Sequence, residues 1–142
     1  MLEKKLKLKH EVLCVTPTKA LTVKDSLIQR VNKSNSWNAD LYVSLHHNCF
    51  NGQAHGSEVF ALSKVGFLFA ESIQNSLCGL GFWDRGAKTG EHLFVIKNTS
   101  APAILIENFF VDSHRDCEMY LSLGPDKIAN AIAKGINDVA FK

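Results

Sequence analysis

Apolar positions recur along the chain in two rhythms. Leu27, Ile28, Val31 and Trp37 keep helical spacing, and Val65, Leu68, Phe69, Ile73, Leu77 and Leu80 form a longer stripe of the same period. These patterns predict a helix over 24–37, with Ser34, Asn35 and Ser36 weakening its last turn, and one from the capping Ser63 to Leu80, stopped by Gly79 and Gly81. Asp112 or Ser113 caps a further helix ending near Leu121. Gly124-Pro125 opens a last one with Ile128, Ile132, Ile136 and Val139 on one face. At the start, Lys4, Lys5, Lys7 and Lys9 alternate with Leu2, Leu6 and Leu8, which reads as a solvated helix end. Short β-favouring runs predict strands at 12–15, 41–45, 58–62, 93–96 and 103–106, with 51–56 and 84–88 as loops. Thr16-Pro17-Thr18 ends the first run, because proline cannot continue a ladder.

Strands alternating with helices, two of them apolar throughout, predict an α/β fold with a mainly parallel sheet covered by helices on both faces. A chain of 142 residues is the size of one domain, so 1–142 is read as a single unit. Ligands of such folds collect at the carboxyl ends of the strands. His46-His47-Asn48 follows the run 41–45, and Glu107 follows 103–106, so the same end of the sheet receives both.

Composition narrows the classes. With 46% hydrophobic residues, 21% charged and a net charge of +2, the chain is neither disordered nor basic enough for nucleic acid to be expected as a partner. No stretch approaches the eighteen or so apolar residues of a membrane span, and the first fourteen residues lack the apolar core of a signal peptide. Cys14, Cys49, Cys78 and Cys117 form no CxxC pair. The expectation is a product made in the cytoplasm with reduced thiols, which needs a separate route of release to act outside the cell.

Glu107 is the first candidate for chemistry, because a carboxylate closing an apolar strand has its pKa raised toward the range useful for proton transfer; a strand end already in solvent is the plain alternative. Adjacent strand residues point to opposite faces, so only one of His46 and His47 faces a given site. His55, Glu58 and His92 are further candidate ligands, but their spacing matches no short metal motif.

Five pieces occur in a specific order: Ser44-Leu45-His46-His47-Asn48, Gly56-Ser57-Glu58-Val59-Phe60, Arg85-Gly86-Ala87-Lys88, Leu93-Phe94-Val95-Ile96 and Pro102-Ala103-Ile104-Leu105-Ile106-Glu107. In this order they resemble the zinc-dependent N-acetylmuramoyl-L-alanine amidases of bacterial autolysins and phage endolysins, over most of the chain. The resemblance implies a twisted, mainly parallel sheet between helices. It also implies Zn2+ held by two histidines and a glutamate, with water in the open fourth position. His46 takes the place of the second histidine ligand and Glu107 that of the catalytic glutamate, which accepts a proton from the water and passes it to the leaving L-alanine nitrogen. The implied substrate is peptidoglycan, cut between N-acetylmuramic acid and the stem peptide at the bacterial cell wall.

The remaining two ligands belong, in that family, to a first strand and helix that would lie upstream of Met1. The expectation is therefore an N-terminally truncated amidase domain, either a fragment or a product begun at an internal methionine. A bared sheet edge would favour self-association. The competing functional reading is a catalytically incomplete remnant that binds wall fragments or a partner amidase.

Overall fold

A computed structural model describes residues 1–139. In chain order the elements are α1 (Leu2–Leu6), α2 (Val23–Ser36), β1 (Tyr42–Asn48), β2 (Ser57–Ala61), α3 (Lys64–Cys78), β3 (Asp84–Thr89), α4 (Phe94–Asn98), β4 (Ala103–Phe110), α5 (His114–Leu123) and α6 (Pro125–Asn137). The four strands form one sheet in the order β1-β4-β2-β3. β1 runs parallel to β4 and β2 parallel to β3, while β2 and β4 are antiparallel. The sheet is thus mainly parallel, as the sequence predicts. Because of the antiparallel pair, the carboxyl ends of β1 and β4 coincide with the amino ends of β2 and β3.

Strand alternation sends two residue sets to two faces. Val59, Ala61, Ile104 and Ile106 meet Phe69, Ile73 and Leu77 of α3 and Ile128, Ile132 and Ile136 of α6 in the larger core. Tyr42, Ala103 and Leu105 meet Val31 of α2 and Val95 and Ile96 of α4 in a smaller one. Helices therefore cover both faces. The Ser63 hydroxyl accepts from Gly66 N at 3.0 Å, capping α3 as expected. Ser113, not Asp112, caps α5 through Asp116 N. The Asp112 carboxylate instead accepts from Phe50 N and Gly52 N, closing the loop after β1.

Three predicted elements differ. The run 93–96 is not a strand: residues from Phe94 onward form the helix α4, because Val95 and Ile96 fill the smaller core from above rather than pairing with a neighbour. A short apolar run carries no period that separates the two outcomes. The segment 84–88 is not a loop but the edge strand β3. Its residues are polar because an edge strand bonds through its backbone on one side and needs little apolar surface. Register jumps from Ser57↔Asp84 to Val59↔Ala87, and Gly86, at φ +83°, takes up the extra residue of this bulge. Finally, 12–15 has no regular secondary structure and joins no ladder.

That last difference leaves an open edge. Among the described residues, the outer edge of β1 has no strand beside it. A groove of about 760 Å³ separates it from 12–15, lined by Leu6, Val43, Leu45, Trp37 and Ile136. Leu45 and Trp37 are exposed there.

On the other side of the larger core, α6 crosses α3 at Gly135. A Cβ at this position would lie 2.6 Å from Ile73 Cα and 2.9 Å from its nitrogen, a collision with backbone that no side-chain rotation relieves. Gly135→Ala is therefore expected to destabilise the fold by about 1–3 kcal/mol. Thermal unfolding by circular dichroism should show Tm falling by about 5–10 °C.

Candidate active site

The site begins with register. His46 pairs with Glu107 across β1 and β4, and Glu107 pairs with Glu58 across β4 and β2. Paired residues of adjacent strands project to the same face, so all three side chains stand in one row on the face that carries the smaller core. The structure thus brings His46 and Glu107 together at one end of neighbouring strands. They do not close their strands, however: β1 continues to Asn48 and β4 to Phe110. Directly after Glu107 the pairing shifts from His46↔Glu107 to Asn48↔Phe110, a bulge of one residue on β4. Asn108, buried at 1% exposure, fills this gap by donating from Nδ2 to the His46 carbonyl at 2.7 Å. Sequence gave no sign of that role, since a bulge is a property of two strands together.

Two carboxylates opposite one another resolve their repulsion in opposite ways. Burial works against the charge of Glu58, yet hydrogen bonds and charge from Lys88 and Arg85 outweigh it and hold the carboxyl below its ordinary range. Glu58 Oε2 accepts from Arg85 Nε at 2.9 Å and from Lys88 Nζ, while Oε1 accepts from Asn48 Nδ2 at 2.8 Å. Among the described residues, no cation pairs with Glu107. Burial first, then the neighbouring charge of Glu58, pushes its pKa up to about 7. Its Oε2 is buried and, among the described residues, has no hydrogen-bond partner. Glu107 is therefore a carboxyl poised to gain or lose a proton near neutrality, with one oxygen unclaimed by the protein.

The His46 imidazole meets the Ser44 hydroxyl at 2.9 Å through Nε2. Burial, followed by the charges of Arg30 and His47, lowers its pKa, which favours the neutral form that a metal ligand needs. His47 turns to the other face, its ring 4.5 Å from that of Phe109 and near Tyr120. His55 sits in the loop before β2 beside Trp83 and Arg115, and His92 lies edge-on to Phe60. Neither joins the row. Glu58 does, but its oxygens are taken by Arg85, Lys88 and Asn48. Among the described residues, no group of three or more His, Cys, Asp or Glu is placed to hold a metal ion. The residues present do not by themselves make a metal centre.

An α/β sheet that sets a histidine and a carboxyl with a raised pKa in one row has groups suited to proton transfer, and comparison with known proteins identifies the family. The N-acetylmuramoyl-L-alanine amidase family matches residues 1–138, so the chain belongs to that family. The catalytic domain of the CD27L endolysin, which targets Clostridia difficile, superimposes with a TM-score of 0.87 at 30% identity, covering 99% of this chain and 79% of that one. N-acetylmuramoyl-L-alanine amidase CwlM of Bacillus licheniformis is 35% identical over 114 residues, which are 78% of this chain and 43% of that protein. A 38.4 kDa uncharacterized protein of Clostridium perfringens is 34% identical over 133 residues, 89% of this chain and 38% of that protein. The chain spans about two-fifths of the length of these curated relatives.

A carboxyl with a raised folded-state pKa binds more protons folded than unfolded between about 4.5 and 7. Its contribution to stability therefore falls as pH rises through that window, and the penalty is complete above it. Glu107→Gln removes the ionisable group. With chelator present, the variant should melt about 2–4 °C above the unsubstituted protein at pH 8 and no higher than it at pH 4, as read by differential scanning calorimetry.

Proposed function

We propose that residues 1–138 are the amidase unit of a peptidoglycan hydrolase that cleaves the amide between N-acetylmuramic acid and the L-alanine of the stem peptide. The observation that carries this reading is the register pairing of His46 with Glu107, with one Glu107 oxygen buried and unpartnered. In this reaction water adds to the lactyl carbonyl carbon and the carbon–nitrogen bond breaks. Glu107 accepts the water's proton and returns it to the departing L-alanine nitrogen, leaving a lactyl carboxylic acid and a free amine. A pKa near 7 suits both transfers at neutral pH. Family membership favours this hydrolase over the wall-binding remnant.

On this reading His46 supplies one imidazole of the three-ligand set that a catalytic zinc requires, and the described residues place no group of three such ligands together. The enzyme acts at the bacterial cell wall, and the open β1 edge supports self-association. Sedimentation velocity over a hundredfold concentration range tests that last point, and a monomer throughout removes it.

Residues 1–142, dialysed against zinc, should retain much less than one tightly held ion per chain by elemental analysis; one full equivalent overturns the ligand assignment. In a protein that supplies the remaining ligands, Glu107→Gln should keep its zinc while stem-peptide release from purified peptidoglycan falls about a hundred- to ten-thousand-fold. His46→Ala should lose zinc and release together. Near-normal release by Glu107→Gln would remove Glu107 from the reaction.

A further inference from the structure

The Glu58 cluster holds more positive charge than it needs. One cation would neutralise a buried carboxylate, and Glu58, with its side chain 6% exposed, has two, while Asn48 satisfies its other oxygen. Arg85 reaches Glu58 through Nε alone, so both of its terminal nitrogens are left over. The guanidinium lies over the Phe110 ring, 4.9 Å from its centre. Arg85 and Lys88 remain 31% and 39% exposed, so their spare donors face solvent. A buried anion thus pins two cations whose outward donors have no partner among the described residues, with a surplus of one positive charge.

This surplus lies beside Glu107. Neighbouring strands are about 4.8 Å apart, so β3 lies about 10 Å from β4, and its cations reach back over β2 to Glu58, which is paired with Glu107. The charged heads therefore gather at Glu58, one strand across the sheet from the strand of the candidate catalytic carboxyl. A stem peptide extends about 3.3–3.6 Å per residue. Its second residue is a glutamate joined through its side chain, so its α-carboxylate hangs about 5–7 Å from the scissile nitrogen. That reach is comparable to the spacing between neighbouring strands, the step that separates Glu107 from Glu58.

We propose that Arg85 and Lys88, held by Glu58, form an anion subsite for the α-carboxylate of the second stem-peptide residue, so that a free glutamate there is preferred over its amide. The inference rests on the peptidoglycan reading above. Guanidinium donors match a carboxylate, and the amide of isoglutamine offers no charge for them to pair with.

The test is binding, which needs no turnover. N-acetylmuramoyl-L-alanyl-D-glutamate and N-acetylmuramoyl-L-alanyl-D-isoglutamine are titrated into the chain by calorimetry, with chelator present to suppress hydrolysis. The acid should bind about tenfold more tightly than the amide at low salt, with the margin shrinking as salt is added. Lys88→Met and Arg85→Gln should each erase most of the preference, and Lys88→Arg should keep it; melting curves accompany every variant. Should the substitutions unfold the chain, the acid-to-amide comparison on the unsubstituted protein still decides the matter. Equal binding of the two ligands overturns the subsite and leaves the peptidoglycan reading standing. Binding of neither overturns both. A preference that survives in both Lys88→Met and Arg85→Gln also overturns the assignment, because the charge would then lie elsewhere.

Discussion

Glu58 and Glu107 sit directly opposite one another in an antiparallel pair, partly shielded from water, and this repulsion organises the sheet around them. Like charges in that position destabilise a ladder unless at least one is neutralised. The chain neutralises both by different means. Glu58 stays ionised with Arg85, Lys88 and Asn48 around it, and Glu107 gives up much of its charge at neutral pH. The asymmetry is what makes Glu107 useful, since a carboxyl beside its own cation would hold its charge far below neutrality.

The same constraint explains why β3 exists where its side chains promise so little. Five of its six residues would be at home in a loop, yet the strand must run beside β2 for Arg85 and Lys88 to reach Glu58. Gly86 allows the bulge that sets their spacing. A second bulge follows Glu107 on β4, where Asn108 replaces a lost ladder bond by binding the His46 carbonyl. Bulges at both flanks of the acidic pair re-aim neighbouring side chains and bend the strands, a common arrangement next to reactive groups. His47 shows the result on the other face, where its exposed ring lies against that of Phe109 and away from the site row.

Membership of the amidase family and the open edge of β1 bear on one another. The row of His46, Glu107 and Glu58 contains one histidine and no three-ligand group, and the unpaired edge lies on the strand that carries this histidine. Under the proposed function, in which His46 is a metal ligand, edge pairing and metal binding are coupled, because whatever pairs with β1 also approaches His46. The apolar groove along that edge, bounded by the unpaired run 12–15, belongs to the same coupling.

The α/β class, the helices α2, α3, α5 and α6, and the strands β1, β2 and β4 were legible from sequence because burial imposes a period on apolar residues, and period is local. Ser63 and Gly124-Pro125 marked helix starts for the same reason: caps act within a turn. His46 and Glu107 could be singled out because each follows an apolar run, and their family was readable from the order of five short motifs. Tertiary structure alone decided the rest. Whether 93–96 lies flat or coils depends on what covers it, and the polar run at 84–88 becomes a strand only because β2 offers it an edge. The run 12–15, with good β-forming residues, has no ladder because no strand lies against it. The antiparallel turn of β2, which brings Glu58 onto Glu107 and so sets the proton affinity of the site, is a relation between segments about fifty residues apart. No local pattern encodes it, since hydrogen bonds between strands and the field of one carboxyl on another exist only once the chain has folded.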